Sequence, residues 1–297
     1  MAKIGVIGAG KWGSAIHFAL SQMDQDILIH SRTPRDIKNF VSLEKILECE
    51  YLVIAIPAQE IAKWLSDNFV NKNQKVLVAA KGIEASSGRF LQEIYAPYVE
   101  DENIAFISGP SFATEVMQKL PTALVLNSYN LETAKEFGAL FPPFIKTYVC
   151  EDVVAAEVAG AYKNVIAIAA GICNGLHLGN NASASLISRG LIEMSRFGKV
   201  YGASAESFLG LSGAGDLFLT ASSTMSRNFR VGLALSTGKK LDEIIEELGE
   251  VAEGVGTAYA LKKIADEKVI YLPIASEVYN ILEGKDPQDS LRDLISS

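Results

Sequence analysis

KIGVIGAGKWGSA, residues 3–15, sets Gly8, Gly10 and Gly13 directly after a short apolar run and before residues that favour a helix. The spacing is that of G-x-G-x-x-G. There the first glycine permits a sharp turn, the second lets a pyrophosphate approach the backbone, and the third lets the following helix pack closely on the strand. Ile4–Ile7 reads as a buried parallel strand, and Ala15, Ile16, Ala19 and Leu20 recur at helical spacing. A strand before and a helix after are the context that separates a dinucleotide site from a glycine turn used only for packing.

Outward from this turn, strands and helices alternate to about residue 150. Candidate strands are Lys3–Ile7, Asp26–His30, Tyr51–Ile56, Lys75–Ala79, Ile104–Ile107, Thr122–Leu126 and Ile145–Val149, with helices such as Ala58–Phe69, Ser87–Tyr95 and Leu131–Leu140 between them. The pattern predicts an α/β Rossmann-type domain over residues 1–150, with a doubly wound, mostly parallel sheet. FPPF, 141–144, reads as the turn into its last strand. Past Glu151 the periodicity turns helical, which predicts an all-α substrate and catalytic domain over residues 151–297. Its last helix, around Ile274–Leu282, is expected to stop at Gly284, with Pro287 beyond.

Composition narrows the function. The 297 residues exceed the usual size of one core, and 49% apolar with 21% charged residues is the profile of a globular protein. The most apolar segment, 158–173, reads as too short for a membrane span and carries a lysine, and no signal peptide is expected, which points to the cytoplasm. Cys49, Cys150 and Cys173 lie far apart without C-x-x-C, so neither metal nor disulfide is expected. A net charge of −8 disfavours nucleic acid or an anionic membrane as partner. An anionic small substrate then needs a local cluster of cations.

After the second strand come Ser31, Arg32, Thr33 and Arg35 rather than the acidic residue that usually selects NAD. Two guanidinium groups suit a 2′-phosphate, so NADP is the preferred cofactor, although Asp36 offers a ribose contact if the loop bends back and a solvated basic loop has the same composition. Lys81 follows the fourth strand, where open α/β sheets place ligands, with Gly82 freeing the turn. Gly109, Pro110 and Ser111 form a turn before a helix, with Ser111 read either as an anion contact or as an N-cap. In AAEVAGAYKNVIAIAAGI, 155–172, Lys163 is the only basic residue, and desolvation there lowers a lysine's pKa toward the range of proton exchange. The alternative is a lysine that snorkels to the surface. Asn164 beside it is a donor to a substrate oxygen. Asp216 lies in a glycine-rich turn, and Ser226, Arg227, Asn228 and Arg230 supply the cation cluster for a phosphate. Val251 and Glu253, near glycines, are placed to close over a cofactor. His17 and His30 read as structural residues, and His177 is assigned no role.

GAGKWG (8–13), PAQ (57–59), AAKGIE (79–84), SGPSFA (108–113), AGAYKNVIAIAAGI (159–172), LSGAGDL (211–217), SRN (226–228) and AEG (252–254) together resemble the bacterial NAD(P)-dependent glycerol-3-phosphate dehydrogenases. The resemblance implies a Rossmann domain joined to a helical one, and interconversion of dihydroxyacetone phosphate and sn-glycerol 3-phosphate for glycerophospholipid synthesis. By motif, it makes Lys163 the proton donor and acceptor, with Lys81 and Asp216 beside it in the chemistry. Substrate contacts fall on Lys81, Gly109, Ser111, Lys163, Asn164, Asp216, Ser226, Arg227 and Asn228. Cofactor contacts fall on Gly8, Gly10, Lys11, Trp12, Gly13, Arg32, Arg35, Lys81, Ala113, Arg227, Val251 and Glu253, with NADP preferred and NAD accepted. One departure stands out: the segment between the second and third strands is shorter than in most relatives. Two other readings are a β-hydroxyacid dehydrogenase and an NADPH-binding redox sensor without turnover. A homodimer is the expected assembly.

Overall fold

Seven short runs become strands: β1 (Ile4–Ile7), β2 (Leu28–His30), β3 (Tyr51–Ile54), β4 (Lys75–Val78), β5 (Ile104–Ser108), β6 (Thr122–Asn127) and β7 (Ile145–Cys150). They belong to a computed structural model that describes residues 3–23, 26–249 and 252–296. The strands form one sheet in the order β2-β1-β3-β4-β5-β6-β7. β2, β1, β3, β4 and β5 run parallel, β6 is antiparallel to β5, and β7 is parallel to β6. Strand neighbours alternate faces. Val6, Val53, Leu77 and Ala105 therefore enter one core with the helices Lys11–Leu20 and Leu131–Ala139. Ile7, Leu52, Ile54, Val76 and Phe106 enter the other, with the helices Ala58–Asn68 and Leu91–Tyr95. Burial on both faces is why the central runs are apolar, whereas the edge strand β7 is largely uncovered. The chain order diverges on either side of β1, the switch point beyond whose carboxyl end such sheets bind ligands.

Two compact units result: Met1–Ala80 with Leu91–Ala156, and Lys81–Phe90 with Glu157–Ser297. Residues 81–90 thus group with the second unit, which a division at residue 150 does not express. The helix expected over Ser87–Tyr95 begins only at Leu91, because Ile83 pairs with Phe90 and Gly88 takes a φ of +76° that no right-handed helix contains.

The second unit is built on the 23-residue helix Val153–Gly175, which belongs to it from Glu157 onward and whose residues from Ala155 to Cys173 are all buried. This corrects the reading of that segment as short. By length and composition the helix could cross a membrane, but 94% of its most apolar window is covered by protein, which makes it a core helix. It meets the helix Arg227–Leu235 backbone to backbone: a Cβ on Gly171 would lie 2.1 Å from the Phe229 carbonyl oxygen, and one on Gly232 would lie 2.0 Å from that of Ile168. The helix Pro273–Leu282 stops before Gly284, at φ +101°, as expected, but it is not the last. Pro287 opens a further helix, Pro287–Ser296, where its missing N–H costs nothing and its fixed φ suits the first turn. Asp286 accepts the Gln288 N–H at 2.7 Å there.

Candidate active site

In the first unit the glycine turn has the local geometry its spacing predicts. Gly8 has φ +106°, and a Cβ there would lie 2.4 Å from the Ala55 carbonyl oxygen. A Cβ on Gly13 would lie 1.8 Å from the Gly8 carbonyl oxygen, whereas one on Gly10 would meet nothing within 4 Å. Gly8 and Gly13 are therefore fixed by the fold, and Gly10 borders open space. The helix Lys11–Leu20 begins there with Gly10 as N-cap and no side-chain cap, so its first N–H groups and positive dipole end face that space. Residues and backbone together fit a dinucleotide pyrophosphate. Lys11 is exposed, and Trp12 packs partly against the core. Arg32 and Arg35 are exposed on the loop leaving β2, at the same edge of the parallel sheet. The turn after β5 has Gly109 at φ +100°. The Ser111 hydroxyl donates to the Gly109 carbonyl at 3.2 Å, and Phe112, not Ser111, is the N-cap of the helix Ala113–Met117. His17 is buried with Nε2 3.0 Å from the Ile27 carbonyl oxygen, and His30 Nδ1 lies 2.9 Å from that of Val41.

In the second unit three residues far apart in sequence meet at one carboxylate. Lys163 Nζ donates to Asp216 Oδ1 at 2.7 Å, and Lys81 Nζ donates to Asp216 Oδ2 at 2.7 Å. Each oxygen serves one ammonium. Asp216 is delivered by a π turn, Leu211–Gly215, in which a Cβ on Gly213 would lie 2.1 Å from the Phe208 carbonyl oxygen; the helix Asp216–Ala221 follows. One turn on, the Thr220 hydroxyl accepts from Lys163 Nζ at 3.0 Å and donates to Asp216 Oδ1 at 3.3 Å. Sequence reasoning missed Thr220, though its i+4 spacing from Asp216 on a helix was a usable signal. The Lys81 stem lies against Gly160, where an added Cβ would come within 3.3 Å of it.

These charges are nearly dry: the side chains of Lys163 and Asp216 are 9% and 2% exposed. Burial drives the Lys163 pKa down, the Asp216 carboxylate pulls it back, and the Lys81 charge lowers it again, for a value of about 8. Burial acts to raise Asp216, but the Lys163 and Lys81 ammonium groups outweigh it and hold the carboxyl below its ordinary range. Glu253 is raised by burial, against the opposing pull of Arg227, Lys163 and Lys81.

A second network adjoins the first through the neighbouring residue. Asn228 Nδ2 donates to Asn164 Oδ1 at 2.9 Å, Asn164 Nδ2 donates to the Gly160 carbonyl at 3.2 Å, and the Gly254 N–H donates to Asn228 Oδ1 at 2.9 Å. Gly254 must be glycine for that approach, since a Cβ would lie 2.7 Å from both the Asn164 carbonyl oxygen and Asn228 Oδ1. Ser226 caps the helix Arg227–Leu235 and accepts the Phe229 N–H at 3.3 Å, which leaves Arg227 exposed at its first position. Val251 lies outside the described residues.

Comparison with known proteins identifies the family. Residues 23–134 match the family described as the NAD-dependent glycerol-3-phosphate dehydrogenase N-terminus, and residues 152–292 match its C-terminus. The chain is 70% identical to a glycerol-3-phosphate dehydrogenase (NAD(P)+) of Sulfurimonas denitrificans over 100% of both chains. It is 58% identical to the protein of the same name from Campylobacter jejuni, over 99% of this chain and 98% of that one. The crystal structure of glycerol-3-phosphate dehydrogenase from Coxiella burnetii superposes with a TM-score of 0.92 at 31% identity, over 100% of this chain and 99% of that one. The chain belongs to the NAD(P)-dependent glycerol-3-phosphate dehydrogenase family.

Proposed function

We propose that the chain interconverts dihydroxyacetone phosphate and sn-glycerol 3-phosphate, with NADP(H) preferred and NAD(H) accepted, and that Lys163 is the general acid of reduction and the general base of oxidation. The observation that supports this most is the Asp216 carboxylate shared by two lysines, one of them in a core helix with its pKa down to about 8. The nicotinamide cofactor supplies the hydride to the C2 carbonyl carbon. As charge develops on the carbonyl oxygen, the Lys163 Nζ–H gives it a proton, and in the reverse direction the neutral amine takes the hydroxyl proton. An amine that titrates near neutrality serves both directions. Asp216 and Thr220 aim Nζ, and the Lys81 ammonium offers a second positive charge to the developing alkoxide. Asn164, beside Lys163 in sequence, is held by Asn228. Ser226, Arg227 and Asn228 hold the phosphate, and Gly109 and Ser111 are substrate contacts by motif. Gly8, Gly10, Lys11, Trp12, Gly13, Arg32, Arg35, Ala113, Val251 and Glu253 hold the cofactor, with Arg227 and Lys81 contributing to both. The product supplies the glycerophospholipid backbone, and in this reading the enzyme is a cytoplasmic homodimer. The test is loss of NADPH absorbance on adding dihydroxyacetone phosphate, run beside NADH and a β-keto acid. Turnover of the keto acid alone would refute the assignment, as would cofactor binding without turnover of either substrate.

A further inference from the structure

Lys81 sits on neither helix nor strand. It follows β4 and precedes Gly82 at φ +137°, yet its side chain is only 16% exposed and its Nζ is held on Asp216. Fixing a long lysine side chain costs rotamer entropy, so the segment carrying it must itself be held. Residues 83–90 close on themselves to do this. Ile83 pairs with Phe90, the Glu84 N–H donates to the Arg89 carbonyl at 3.0 Å, and the Gly88 N–H donates to the Glu84 carbonyl at 2.8 Å. Phe90 packs edge-on against Tyr201, with ring centres 4.9 Å apart, and against Phe197. Inside the loop lies the buried carboxylate of Glu84. A buried carboxylate is costly unless paired, and here the partners come from the same loop: the Ser87 hydroxyl, and the Arg89 guanidinium through Nη2 at 3.0 Å and Nε at 3.4 Å.

We propose that Glu84 is a positioning residue for the reaction: its clamp on Ser87 and Arg89 sets the loop that holds the Lys81 ammonium on the carboxylate Lys163 also uses. The proposal rests on the reading of Lys163 as the amine that moves the proton. The charged groups acting on Lys163 are Asp216, Lys81 and Glu253, and Thr220 adds a hydroxyl. If the clamp is lost and Lys81 withdraws, Lys163 loses a repelling neighbour and keeps Asp216 to itself, so its proton is held more tightly. A merely structural defect would lower activity at every pH without moving a midpoint.

The experiment uses the full chain labelled at the lysine ε carbon, with the Lys163 resonance assigned through Lys163→Met and titrated by NMR without ligands. The parent is expected to titrate near 8. Glu84→Ala should titrate about one unit higher. Glu84→Gln keeps acceptors for Ser87 and Arg89 and should stay close to the parent. Arg89→Met, at a side chain 45% exposed, spares the core and should move upward by less, which keeps the test alive if Glu84→Ala does not fold. The pH midpoint of dihydroxyacetone phosphate reduction should move in the same order. An unmoved Lys163 midpoint in the folded alanine and methionine variants would overturn the proposal. The expected NMR shifts in a parent that does not reduce dihydroxyacetone phosphate would uphold the loop coupling and overturn the functional reading instead.

Discussion

Replacing Asp216 by asparagine keeps the shape of the side chain and removes the charge that two lysines share. In the native site, burial and the Lys81 charge, against the pull of Asp216, have already taken Lys163 from 10.5 to about 8. At 1.36 kcal/mol per unit this is about 3 kcal/mol against the ammonium form even with its partner present. An opposite charge in direct contact is worth about one to three units, so its loss should bring Lys163 to about 6. Near pH 7.5 the protonated fraction would fall from about three quarters to about 3%, and the reduction rate by about 25-fold. Because the amine escapes by giving up its proton, the fold should survive. The assay is the initial rate of dihydroxyacetone phosphate reduction at saturating NADPH across the range from about pH 5 to 9, with a melting curve at each end. In the native enzyme reduction should decline as pH rises through about 8 while oxidation climbs, since one needs the ammonium and the other the amine. In Asp216→Asn the reduction limb should move to lower pH, with most of the rate recovered below about pH 6. A uniform loss with the midpoint still near 8 would show that the carboxylate does not govern this amine.

The remaining expectations separate the two units. Lys163→Met should bind NADPH as the parent does and lose reduction by about 10²–10⁴-fold, checked by fluorescence titration beside turnover. Gly13→Ala should lower the melting temperature, because its Cβ would lie 1.8 Å from a carbonyl oxygen; Gly10→Ala should leave melting unchanged and weaken NADPH binding, because its Cβ points into open space. Equal melting losses in both would contradict the division of labour within the glycine turn. Exchanging Arg32 and Arg35 together for serine should raise the KM for NADPH far more than that for NADH. Equal effects on the two cofactors would remove these arginines from 2′-phosphate recognition.

Legibility in the sequence followed the range of each interaction. The sheet was readable because its central parallel strands are buried on both faces and so declare themselves as apolar runs, as Ile4–Ile7 and Tyr51–Ile54 do. The glycine turn was readable because its three glycines fall within six residues, although Gly8 is also held by the distant Ala55 carbonyl. Lys163 stood out because an alanine- and glycine-rich helix has few ways to keep a lysine wet. Its partners were less legible: Lys81 and Asp216 are 135 positions apart, and the π turn that aims Asp216 leaves no periodic trace. Thr220 earns its place only once that carboxylate is known to sit beside Lys163. The helix Pro287–Ser296 was missed because proline serves both after one helix and at the start of the next.

The helix Val153–Gly175 also bears on how the chain is made. The segment that crosses it, Arg227–Leu235, and the helix Gly179–Val200 are both encoded downstream, so during synthesis this long apolar stretch emerges before the surfaces that will cover it. A nascent stretch of such hydropathy is what a translocon samples for lateral entry into lipid. One ammonium near the midpoint of the stretch adds about 2.5–3.5 kcal/mol to the cost of that entry. The amine at position 163 therefore biases the newborn polypeptide away from the bilayer before any cofactor or substrate has met it.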